Sequence, residues 1–193
     1  MARRKYEFRP DKTNSDLLGK LYLTQKQRMK LLKWCLYALL LVVLSAIQDV
    51  ILCRMSILSA TTDLLPCAIL LICVLQGSHT GSVFSLVAAC MYQFSGTAPG
   101  YYVIVLLPAL GIAAAIFRQT YLRKGFSAAM LCAGVALMLY EMCLFGICLL
   151  FSLITASRII VFLLTGGLSL LVMPALYPII MTIEKIGGET WKE

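Results

Sequence analysis

Charge is scarce in this sequence. Asp, Glu, Lys and Arg make up 13% of the 193 residues, 61% are hydrophobic, and mean hydropathy is +0.89. Soluble domains carry about 25% charged residues, so a water-soluble fold around one core is excluded. Histidine is nearly absent, with His79 alone. The eight cysteines (35, 53, 67, 73, 90, 132, 143 and 148) include no Cys-x-x-Cys pair. A structural metal needs clustered Cys and His ligands, so the cysteines read as small packing residues, with Cys53 near the outer face. No Gly-x-Ser-x-Gly, P-loop or His-Glu-x-x-His motif occurs, and the reading is a protein that is not an enzyme and uses no cofactor. A short basic start followed at once by an apolar core is also missing, so no cleavable signal peptide is expected. The outer connections are short and leave no room for an extracytoplasmic domain.

The charge that is present is concentrated at one end. Residues 1–33 hold ten of the seventeen Lys and Arg but only three of the nine acids, and so carry seven of the eight net positive charges. A nucleic-acid protein would need that basic surface on a soluble fold. A basic segment ahead of an uncharged body reads instead as an integral membrane protein. About 20 apolar residues cross a bilayer as a helix. Spans are expected near 33–52, 64–76, 81–95, 100–117, 126–154 and 159–182. The second and third are parted by Gln76-Gly77-Ser78-His79-Thr80 and read as a tight helical hairpin, or as a re-entrant pair that would reduce the count to five. The expected fold is an all-α bundle of about six transmembrane helices. It comprises a basic tail 1–32, a transmembrane domain 33–182 and a short tail 183–193. Residues 14–33, capped by Asn14 or Ser15, suit a helix lying on anionic lipid headgroups. With the N-terminus inside, fifteen Lys and Arg fall on the cytoplasmic side and two, Arg54 and Arg158, outside, so both termini are expected in the cytoplasm.

Ionisable groups inside spans are costly, about 2.5 kcal/mol or more near the centre, and mark candidate sites. Asp49 and Glu141 lie within the first and fifth spans, and Asp63 opens the second, where it reads as a helix N-cap. Arg158 is the candidate partner for Glu141 across the fifth-to-sixth connection. Small residues form stripes: Gly77, Gly81, Ser85 and Ala89 at every fourth position, and Gly111 with Ala115. Such stripes let helix backbones approach closely. They serve either packing within the bundle or docking of a partner helix, a second copy in a homodimer included.

The run Asp63-Leu64-Leu65-Pro66, the break Gln76–Gly81, the small-residue third span, the turn Ser95–Gly100, and a fourth span ending in Arg118 and Arg123-Lys124 together resemble the rod shape-determining protein MreD family over about residues 35–182. The resemblance implies a non-enzymatic scaffold of the bacterial inner membrane. It would bind the membrane-anchored protein MreC and other elongation-complex members, and support peptidoglycan synthesis and cell shape. Six-span chains of this kind also look like the substrate-capturing S components of energy-coupling-factor vitamin transporters. In that reading Asp49, Asp63, Tyr92, Tyr101, Tyr102 and Glu141 would line an outer pocket.

Overall fold

A computed structural model describes residues 25–52, 61–96, 98–122 and 125–186. Among them the chain is all-helical: α1 Gln25–Val50, α2 Leu64–Gln76, α3 Ser78–Phe94, α4 Val103–Tyr121, α5 Phe126–Leu150 and α6 Ile159–Ile186, with a 3₁₀ turn Ala156–Arg158 leading into α6. Arg28–Val50, α4, α5 and the stretch Ala156–Ile186 are each long and apolar enough to cross a membrane. Their outward faces carry Leu39, Val43, Val105, Leu131, Val135 and Leu171, all exposed. An apolar exterior this extensive would aggregate in water and suits lipid.

The helices follow the expected spans, with shifts at their ends. Helix α1 begins by Gln25, so its first turns lie within the segment expected to be tail. The expected interfacial helix otherwise falls in residues 14–24, outside the described residues. Helix α6 runs to Ile186, past the expected end at 182.

Helix α2 organises the bundle. All twelve residues from Leu64 to Leu75 are buried, because α2 packs against α1, α3, α4, α5 and α6. A helix hydrophobic on every side belongs in a core. At 1.5 Å per residue its thirteen residues span about 20 Å and the seventeen of α3 about 26 Å, both short of a hydrocarbon layer about 30 Å thick.

One residue, Gly77, joins the two. Its φ of +86° and ψ of 176° suit only glycine. A Cβ there would also collide with the Gln119 side chain. Its N–H donates to Cys73 O (3.1 Å), and its carbonyl accepts from Gly81 N (2.9 Å), so neither backbone group is stranded at the reversal.

The small-residue stripes close this packing. Gly77, Gly81, Ser85, Ala89, Gly111 and Ala115 are all buried. A methyl at Gly81 would lie 2.7 Å from Cys73 O, and one at Gly111 would lie 3.0 Å from Cys73 Sγ. Two neighbouring helices thus use glycine to come down on the same residue of α2. These stripe positions face inward, Gly81 and Gly111 against Cys73 of α2 and Gly77 against Gln119 of α4.

Candidate functional site

The buried polar side chains gather in two layers, one at each end of α2. The first surrounds Glu184 of α6. Its Oε1 accepts from Lys33 Nζ of α1 (3.2 Å), and its Oε2 accepts from Tyr37 OH (2.9 Å) and from Gln76 Nε2 at the last turn of α2 (2.8 Å). Gln76 also donates to Tyr37 OH (3.1 Å). Lys33 and Glu184 are both buried, so the pair must be nearly saturated to offset the loss of water. Trp34, Tyr37 and Phe84 pack ring against ring beside it, with centroids 5.6–6.1 Å apart. At the same end, Arg118 of α4 donates Nη1 to Val74 O (2.8 Å), satisfying a carbonyl that the end of α2 leaves open.

The second layer surrounds the start of α2. Asp63 occupies the N-cap position, but its side chain makes no capping bond. This corrects its expected role. Gln48, reaching across from α1, performs it: Oε1 accepts from both Leu64 N and Leu65 N (3.1 Å each), while Nε2 donates to Asp63 Oδ1 (3.3 Å). Asp63 N donates to Ser169 Oγ (2.9 Å), and Cys67 Sγ donates to Ser169 O (3.5 Å). A longer amide entering from the side reaches two backbone donors at once, which a short carboxylate on the same backbone does not. Glu141 of α5 belongs to this end. Its Cγ lies 3.3 Å from where a Cβ on Gly166 would stand, one turn of α6 before Ser169. Asp63 is within electrostatic reach of Glu141, and both act on Tyr92 and Tyr140.

Of the candidate residues, the structure brings Asp63, Glu141 and Tyr92 together. Asp49 is exposed, about 100° around α1 from buried Gln48, and Tyr101 is exposed as well. Tyr102 is half-buried and bonds Pro99 O (3.1 Å) and Cys148 Sγ (3.3 Å). The Glu141–Arg158 pair does not form. Arg158 is exposed in the 3₁₀ turn, about seventeen residues along the chain, while Glu141 Oε1 is buried without a hydrogen-bond partner. Cys53, Arg54, Arg123 and Lys124 lie outside the described residues.

The sequence alone does not point to the Glu184 layer, because Glu184 falls in the expected tail 183–193. The signal for it was its spacing from Met173, Leu176, Ile180 and Ile183 on the buried face of α6. His79 is exposed on the hairpin at the Glu184 end, away from Glu141. Among the described residues no three His, Cys, Asp or Glu side chains converge as metal ligands.

On the outside, apolar grooves run between helices. One of about 500 Å³ lies between α1 and α3, lined by Trp34, Ala38, Leu41, Val83, Phe84 and Val87 among others. Another of about 410 Å³ lies between α4 and α5, beside Ala113, Phe117, Leu131 and Val135. Compared with family models, with curated proteins and with solved structures, the chain has no match in any of the three.

Proposed function

We propose that the chain is a six-span scaffold of the bacterial inner membrane, of the MreD kind. It would bind an MreC-like anchored protein in the cell-elongation machinery and catalyse no reaction itself. The observation that supports this best is the sealed interior. Helix α2 fills the centre, and its whole length from Leu64 to Leu75 is closed off. The larger grooves open outward and are apolar, as a partner's membrane helix requires. The distribution of basic residues supports cytoplasmic termini.

The test is co-purification of an MreC-like protein from the same membrane, together with cell shape when the chain is depleted. The expected result is capture and loss of rod form. Normal rods and no capture would end the scaffold reading. A reporter fused after Glu193 should be active only in its cytoplasmic form, and periplasmic activity would require an odd number of spans.

One observation favours the S-component reading as runner-up. The Asp63 end gathers polar side chains from α1, α3, α5 and α6 beneath one face of the bundle. A small organic solute that co-purifies with the wild type and is lost in Glu141→Gln would put that reading first.

A further inference from the structure

The α1/α3 groove, of about 500 Å³, is apolar along its length and has His79 and Thr80 at one end only. Helices α1 and α3 run parallel, since both start at the Glu184 end. Lys33, in the early turns of α1, pairs with Glu184, and α3 begins just after Gln76, which bonds the same carboxylate. Trp34 and Phe84 meet across the two helices with ring centroids 5.6 Å apart, which sets their register. One turn back from that contact, toward the Glu184 end, α1 carries Lys30 and α3 carries Thr80, with His79 beside it. Lys30 thus falls on the stripe of Trp34 and Ala38, which line the groove. Lys30, His79 and Thr80 are all exposed.

The charge around this mouth has one sign. Among the described residues the rim at the Glu184 end exposes Arg28, Lys30 and Lys185, while its one acid, Glu184, is buried against Lys33. Helix α3 also starts here with no side chain capping it, so the positive end of its dipole adds to theirs. The α4/α5 groove differs: Arg118, the cation in line with it on α4, is buried, with Nη1 committed to Val74 O. From His79 to Met91 the α1/α3 groove runs about 18 Å along α3. One leaflet of hydrocarbon is about 15 Å deep. A cationic mouth on an apolar groove one leaflet long is complementary to an anionic head on a hydrocarbon chain.

We propose that the α1/α3 groove holds an anionic phospholipid of the leaflet at the Glu184 end, with its phosphate between Lys30 and His79 and one acyl chain along Val83, Val87 and Met91. Lys30 supplies the countercharge, and His79 a ring N–H for a phosphate oxygen. Trp34 stands beside the chain near the headgroup region, where tryptophan is at home in a membrane. The proposal requires only that the chain lies in a membrane, and it leaves the α4/α5 groove for a partner's helix.

The test uses the full chain with Trp191→Phe, so that Trp34 is the one remaining tryptophan. In detergent micelles at fixed ionic strength, phosphatidylglycerol with brominated acyl chains, which quench an indole they touch, is compared with brominated phosphatidylcholine. The expected result is saturable quenching of Trp34, half-complete at a phosphatidylglycerol fraction at least about fivefold below that for phosphatidylcholine. In the double variant Lys30→Gln with His79→Gln the preference should fall below about twofold. Ala38→Phe places a ring in the groove without changing charge, and should at least halve the maximal quenching. All three side chains are exposed, so these substitutions leave the core intact. Equal half-points for the two lipids in the wild type overturn the proposal. So does a preference that persists unchanged in the double variant, which would put the lipid on other basic residues, or undiminished quenching in Ala38→Phe.

Discussion

Replacing Gly81 by alanine tests the central packing most directly. The new methyl would lie 2.7 Å from Cys73 O, 3.0 Å from Cys73 Sγ and 3.1 Å from Cys73 Cα. Two of those atoms are backbone of α2. That helix cannot retreat, because it is surrounded by five others and tied at this end by Gln76 to Glu184 and by Arg118 to Val74 O. The adjustment must come from α3, at the one-residue turn where it has least freedom. Forcing a methyl group into a packed site costs about 1–3 kcal/mol. The clash is with backbone that cannot yield, so the upper part of that range, about 2–3 kcal/mol, applies. Alanine recovers about 1 kcal/mol of helix propensity over glycine, and the net loss should be about 1–2 kcal/mol.

Gly146 supplies the opposite case. It is inside α5, and no atom lies within 4 Å of a Cβ added there. Gly146→Ala keeps only the propensity term and should stabilise by up to about 1 kcal/mol. Thermal unfolding of both variants in micelles should therefore move Tm in opposite directions. A Gly81→Ala protein as stable as the wild type, or both variants shifting alike, would refute the claim that α3 rests directly on the backbone of α2.

Glu184→Ala leaves Lys33 buried without its counter-charge and should cost about 3–5 kcal/mol. The double change Lys33→Met with Glu184→Leu should recover most of that loss, and a double-mutant cycle showing simple additivity would deny the coupling. Gln48→Met keeps side-chain length but removes the one oxygen that accepts from both Leu64 N and Leu65 N. It should destabilise by about 1–3 kcal/mol and speed amide exchange in the first turn of α2. Unchanged exchange there would mean that Gln48 is not the cap.

The one-dimensional information in this chain was strong where lipid is the solvent. Apolar runs of about 20 residues pointed to helices, since a bilayer offers the backbone no partner but itself and a barrel strand needs only about ten residues. The break at Gly77 was legible because glycine is the residue that tolerates the reversal. The inward stripes were legible as a period of four, although period alone does not say which neighbour fills them. At Gly81 and Gly111 that neighbour is α2, recognisable only as a short apolar run until five helices are seen around it.

The polar layers were less legible. Asp63 and Glu141 stood out as acids in apolar surroundings, but Asp49 stood out equally and points away, because one residue of helical rotation separates it from buried Gln48. Lys33 and Glu184 are 151 residues apart and each sits near a span end, where a charge is usually solvated. Charge in a span is a local property and can be read along the chain. Whether that charge is paired, capped or stranded depends on which helix faces it and at what height, and only the tertiary packing decides that.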